Sequence, residues 1–190
     1  MEQGPKIEKR EDVYHTELVS GFDEKILDSI VEIENDCFPK EWNLWESEES
    51  MREYYTEALK EKESINVVMK DADKIIGYIL AIPHNEAKEA LFEYDSELKA
   101  DNERYYIETA GILKSYRGTI RSATSLISAV CEEAKKRGII KFSCHARKAK
   151  RMDEGLKKLL KGMITKSRNI DKWGPAGDEP FEYLEWTYKE

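Results

Sequence analysis

A chain of 190 residues with 40% apolar and 37% charged residues has the composition of one globular domain with its own core and a heavily charged surface. Its 31 Lys and Arg stand against 39 Asp and Glu, and the net charge of −8 argues against non-specific binding to nucleic acid or to an anionic membrane surface while suiting cationic substrates such as amines. Cys37, Cys131 and Cys144 are scattered, with neither zinc spacing nor a disulfide framework, which points to a reducing cytoplasm.

Residues 1–12 are polar, lack the apolar stretch of a signal peptide, and read as a flexible tail ahead of a single domain over 13–190. Residues 13–20 predict a first strand, with Val13, His15 and Leu18 as packing candidates. Over 23–36 the spacing of Ile26, Leu27, Ile30, Val31 and Ile33 predicts an amphipathic helix, which breaks at Cys37-Phe38-Pro39-Lys40-Glu41-Trp42. A second helix runs from Ser47 or Glu48 to Lys62, with Met51, Tyr54, Tyr55, Ala58 and Leu59 on one face. Residues 64–70 and 74–82 form a hairpin about Asp71-Ala72-Asp73. The longest apolar run, residues 75–83, is too short to span a bilayer.

Residues 85–104 are acidic and longer than a hairpin needs, and read as a solvated surface insertion, with a short helix or a lid as alternatives. Residues 105–113 return to strand composition, and Gly111 marks a bulge or a close backbone approach. A polar turn over 114–121 leads into a helix opened by Ser122 as N-cap. Its stripe is Ala123, Leu126, Ile127, Val130 and Ala134, and Gly138 sits at the C-terminal cap position. Then come a buried-type strand over 139–145, a helix over 149–162 with Met152, Leu156, Leu159 and Leu160 inward, a loop over 163–177, and an aromatic strand over 181–188 closing the sheet.

The strand, turn and helix of 105–138 carry the chemistry. A helix N-terminus emerging from a turn offers unpaired N–H groups and the positive end of a dipole, and Arg117 and Arg121 add charge to it. A phosphate or pyrophosphate suits such a place; a plain strand-to-helix connection with two surface arginines is the other reading.

At Arg117-Gly118-Thr119-Ile120-Arg121-Ser122 the sequence resembles the pyrophosphate loop of the GNAT superfamily of N-acetyltransferases, with Ala123 opening the helix behind it. The segment from Phe38 to Trp42 resembles the family's first helix end, and the hairpin before residue 105 follows the family's order. The resemblance implies an α/β fold with a mixed, mostly antiparallel central sheet, splayed between its two central strands, and helices on both faces. It implies acetyl-CoA, or another acyl-CoA, as donor and an amine, on a small molecule or a protein, as acceptor. No nucleic acid or membrane enters, and a homodimer is compatible with it.

On the same resemblance, Ile112 and Leu113 would offer backbone groups to pantetheine and the thioester carbonyl, residues 117–123 would hold the pyrophosphate, and Phe38 and Trp42 would line the acceptor cleft. Glu108, four residues before Ile112, is the candidate base, since an amine must be neutral to attack. Ile120 and Ser122 stand where the family has small residues, and no Tyr lies near Lys157 or Lys158 to protonate the thiolate. Both departures suit an alternative, a catalytically degenerate domain that binds acyl-CoA or a protein. The basic run of Arg147, Lys148, Lys150, Arg151, Lys157, Lys158 and Lys161 either attracts phosphates or is a solvated face. Cys144 and His145 are adjacent on a strand and face opposite ways, so they do not pair as nucleophile and base.

Overall fold

The computed structural model describes residues 14–38, 45–117, 120–173 and 179–189. The tail and Val13 lie outside these, as do Trp42, Gly118 and Thr119 of the anticipated site. Seven strands form one sheet in the order β1-β2-β3-β4-β5-β7-β6. They are β1 His15–Leu18, β2 Ile65–Asp71, β3 Lys74–Pro83, β4 Arg104–Ile112, β5 Lys141–Arg147, β6 Ile164–Ile170 and β7 Phe181–Thr187. Every neighbouring pair is antiparallel except β4 and β5. A parallel pair needs a long crossover, and helix α4, Ile120–Lys136, supplies it.

The parallel pair is short. Arg104–Ile107 lies beside Lys141–Cys144, yet β4 continues to Ile112 and β5 to Arg147 with no further pairing between them. The sheet is therefore open at its centre, as the family resemblance implies, and helices cover both faces. α1 (Glu24–Cys37) starts on Asp23, whose carboxylate accepts from the Lys25 amide at 2.8 Å. α2 (Glu48–Lys60) starts in a reciprocal Ser47–Ser50 capping box. A buried polar cluster fastens these two helices to the sheet. Tyr78 donates to Glu34, Trp45 Nε1 also donates to Glu34 at 3.4 Å, and the Tyr78 hydroxyl meets those of Tyr55 (2.9 Å) and Thr109 (3.0 Å).

Several expectations need correction. Ser122 does not cap α4, because the helix begins two residues earlier and carries Ser122 inward at 1% exposure. The predicted helix over 149–162 shortens to α5, Met152–Leu159, behind a single 3-10 turn, Ala149–Arg151. Arg151 has φ 59°, a left-handed conformation that separates turn from helix and leaves Met152 exposed. The loop expected over 163–177 contains β6, which takes the sheet edge. β7 consequently lies between β5 and β6 instead of closing the sheet. Strand β1 leaves His15 and Leu18 exposed.

Residues 85–104 also differ from the solvated insertion expected. Helix α3, His84–Leu91, opens the segment, and Leu98 then packs with Ile170, Trp173, Phe181 and Tyr183 in a second apolar cluster. The segment covers the part of the sheet formed by β5, β7 and β6.

Candidate active site

The site is built where β4 and β5 part. The last paired residues are Ile107 and Cys144, so Glu108 and His145 are the first residues beyond the junction on either strand. On the other side of β4 the register to β3 slips between Leu80, opposite Thr109, and Ala81, opposite Ile107. Glu108 is thus the extra residue of a β-bulge. A bulge re-aims a side chain, and here Glu108 takes a bond from Tyr54 of α2 while the adjacent Thr109 reaches Tyr78. At Gly111, where a bulge or a close approach was expected, the pairing with β3 is regular and the close approach is what is found; the bulge at Glu108 was not anticipated.

Beyond the bulge the alternation is regular. The Leu113 N–H donates to the Ile76 carbonyl at 2.9 Å, and the Leu113 carbonyl accepts from the Tyr116 N–H at 2.9 Å. The amide edges of Ile112 and Ala110 therefore turn away from β3, toward the space that β5 has left. Ala110 is exposed there. The Ile112 carbonyl accepts from Arg117 Nε at 2.7 Å and from the Cys37 thiol at 3.4 Å. Arg117 is thereby held against the strand it follows, with its own N–H 3.3 Å from the Lys114 carbonyl.

Of the other anticipated residues, Ile120, Arg121, Ser122 and Ala123 form the first turn of α4, the strand-turn-helix order expected. Phe38, half-buried, closes α1 with its N–H on the Glu34 carbonyl. Glu108 is half-buried. Burial raises its pKa, the Tyr54 bond partly opposes the shift, and the negative charge of Glu86 adds to it. Glu86 is itself raised, by burial and then by Glu61, Glu63 and Glu89.

A second cluster was not anticipated. The Tyr106 hydroxyl lies 2.9 Å from His145 Nδ1, and His145 Nε2 lies 2.9 Å from Asp95 Oδ2. Arg168 of β6 clamps the same carboxylate. The side chains of His145 and Asp95 are 1% and 2% exposed. Trp173 and Tyr183 flank the imidazole, with ring centroids at 4.4 and 5.0 Å. Burial alone would raise the Asp95 pKa, but the bonds from His145 and Arg168 outweigh it and hold the carboxyl at about 2. Burial lowers the His145 pKa, against the pull of Asp95, so the imidazole is neutral at pH 7. Strand parity already places Tyr106 with Glu108 on β4, but nothing in the sequence marks Asp95 or Arg168 as their partners.

Cys144 packs into the main core opposite His145, and burial pushes its thiol up to about 12. It offers no thiolate. The basic run divides by position: Arg147 is buried against Glu179 (3.2 Å), Lys157 pairs with the buried Glu182 (2.5 Å), and Lys158 and Lys161 are exposed.

A seven-stranded mixed sheet opened between two parallel central strands, with a helix starting at the opening, defines the class. The profile of the acetyltransferase (GNAT) family matches residues 27–152, and the chain belongs to that family. No curated protein matches the sequence. Among solved structures, the fold is similar to NAA60 of Arabidopsis thaliana in complex with acetyl-CoA, at 17% identity and TM-score 0.65 over 92% of this chain and 99% of that one. It is similar to the aminoglycoside 6'-N-acetyltransferase from Enterococcus faecium, at 18% identity and TM-score 0.62 over 88% and 95%. It is also similar to the PaiA N-acetyltransferase from Thermoplasma acidophilum in complex with coenzyme A, at 13% identity and TM-score 0.56 over 91% and 99%.

Proposed function

We propose that the protein is an N-acyltransferase that moves an acetyl or related acyl group from a CoA thioester to a primary amine, by direct attack in a ternary complex. The observation that carries this reading is the parting of β4 and β5 at Ile107 and Cys144, with a half-buried carboxylate, Glu108, at the junction. The residues suit the donor. Amide edges at Ala110 and Ile112 face the opening, which fits the amides of pantetheine, and the N-terminus of α4 with Arg117 fits a pyrophosphate. Bound acyl-CoA supplies an activated acyl carbon beside those edges, with N–H groups placed to polarise its carbonyl oxygen.

The chain's own task is to make the amine nucleophilic. Glu108 is the base in this reading. Its raised pKa brings it nearer neutrality, which improves it as a proton acceptor. The carboxylates of Glu61, Glu63 and Glu86 on the same side favour an acceptor that arrives as an ammonium ion. Phe38 lines the acceptor side in this proposal.

The test is thiol release from acetyl-CoA against a panel of amines. Glu108→Gln is expected to lower kcat roughly a hundredfold with little change in acetyl-CoA affinity. It is also expected to remove an acidic limb of the pH profile that lies above the ordinary glutamate range, because a raised pKa delays ionisation to higher pH. Unchanged turnover would remove Glu108 from the mechanism. One observation favours the degenerate binding module instead: α5 contains no Tyr, and Lys157 near the corresponding place is engaged by Glu182. Tight acetyl-CoA binding in calorimetry with no thiol release from any amine would establish that reading.

A further inference from the structure

Consecutive side chains on a strand turn to opposite faces of a sheet. Glu108 and Thr109 do not, because Glu108 is the extra residue of the bulge in β4. Glu108 takes a bond from Tyr54 of α2. Thr109 meets the Tyr78 hydroxyl at 3.0 Å, and that hydroxyl meets the one of Tyr55, also of α2, at 2.9 Å. Two consecutive tyrosines of α2 thus hold two consecutive residues of β4. We propose that Tyr54 is the positioning residue for Glu108, holding one carboxylate oxygen so that the other is presented to the acceptor amine.

The bonds behind the pair have one direction. Tyr78 gives its proton to Glu34, so its oxygen accepts from both Tyr55 and Thr109. The protons of Tyr55 and Thr109 are thereby committed to Tyr78, and the donor to Glu108 is Tyr54. The ring of Tyr54 is seated independently of that bond. Trp45 lies against it at 4.8 Å, and Tyr55 meets it edge-on at 5.1 Å and 82°. Trp45 is itself fixed by Nε1 on Glu34 at 3.4 Å. A ring held in this way places its hydroxyl at a set point, and the carboxylate comes to it.

Tyr54 acts here as a donor and keeps its proton. Burial, and then the charge of Glu108, push its pKa far above any working pH. The titratable groups that face Glu108 are Tyr54 from α2, Glu86 from α3 and Tyr106 from β4 itself. Burial raises the Glu108 pKa, Tyr54 opposes that rise, and the charge of Glu86 adds to it. The bond from Tyr54 therefore fixes where the carboxylate points and keeps it ionised to lower pH than its surroundings would otherwise allow. A base works only when ionised, and ionisation is gained as pH rises through the pKa. Loss of the Tyr54 hydroxyl raises the Glu108 pKa and moves the acidic limb of the rate to higher pH.

The inference rests on Glu108 as base of the proposed acyl transfer, and its tests separate the two. Carbon-13 NMR of the glutamate carboxyls in the full-length protein follows Glu108 without any turnover. Tyr54→Phe keeps the ring against Trp45 and removes only the hydroxyl. The Glu108 midpoint is expected to move to higher pH in this variant; an unmoved midpoint would overturn the proposal. In the thiol-release assay, Tyr54→Phe is expected to lose roughly tenfold in kcat near pH 7 at unchanged acetyl-CoA affinity, with the acidic limb displaced upward as the NMR midpoint is. Tyr55→Phe is the control: it removes a bond from the Tyr78 cluster, and is expected to lower the urea midpoint while the limb stays in place. A Tyr54 that merely packs would lower the plateau of Tyr54→Phe and leave its limb unmoved, and that result sinks this proposal alone. An unaltered protein that binds acetyl-CoA and acylates no amine sinks the transfer reading and this one with it.

Discussion

Gly111 shows how one missing side chain sets the distance between a helix and a sheet. A Cβ added there would meet Ile33 Cγ2 at 2.7 Å, Tyr78 Cε1 at 2.9 Å and Cys37 Sγ at 3.2 Å. Two of these atoms belong to α1, so the absence of the methyl lets the helix lie against β4 just beyond Glu108. The same approach brings Cys37 to the Ile112 carbonyl and keeps Glu34 in reach of Tyr78. Gly111→Ala is expected to destabilise the fold by about 1–3 kcal/mol, because an overpacked core must shift to admit the group. Urea unfolding measures it directly, and an unchanged midpoint would mean that α1 is not seated as described. The close approach at Gly111 was readable from a glycine inside a strand pattern. The bulge at Glu108 was not, since it depends on how β4 pairs with β3 and leaves no composition of its own.

At the scale of elements, the segment between β3 and β4 decides how much of the molecule acts as one unit. Leu98, 5% exposed, is its anchor in the cluster with Ile170, Trp173, Phe181 and Tyr183. Leu98→Ala is expected to cost about 2–5 kcal/mol. A solvated insertion would lose nearly nothing, so equilibrium unfolding of this variant distinguishes the two descriptions. The segment's acidic composition concealed its packing. Among 20 residues rich in Glu, Lys and Asp, only Leu98 and Asp95 turn fully inward after α3, and two positions make no period. β6 was hidden for a related reason. ITKSRNI is an edge strand whose exposed positions carry Thr, Lys, Ser and Asn, a polar composition with an edge Lys that guards against pairing and reads as loop. By contrast, the α1 and α2 stripes, the hairpin and the left-handed Gly138 (φ 80°) behind α4 were legible, because period and cap residues are local signals. Of the site, sequence pattern supplied the β4–α4 unit and Glu108. Tyr106, His145, Asp95 and Arg168 come together only when β4, β5, β6 and the segment after α3 are assembled.

For the whole molecule, the net charge of −8 is less informative than its arrangement. Beyond burial, the charges of Glu61, Glu63 and Glu89 raise the proton affinity of Glu86, and the charge of Glu86 raises that of Glu108, so these carboxylates share one field. Arg117 and the start of α4 supply positive charge on the other side of the opening. In the proposed transfer, an acyl donor with phosphates and an acceptor with ammonium groups are drawn to opposite sides of the same gap. Exposed charges act over about one Debye length, roughly 10 Å at 0.1 M salt. Raising ionic strength from about 20 mM to about 500 mM is therefore expected to increase KM for a diamine several-fold, and more than for a monoamine, while kcat changes little. The difference between the two amines is the informative quantity, since salt effects on the donor are common to both. Equal salt dependence for both amines would show that the carboxylates around Glu86 do not guide the acceptor, and the cationic preference would then have to come from Glu108 itself.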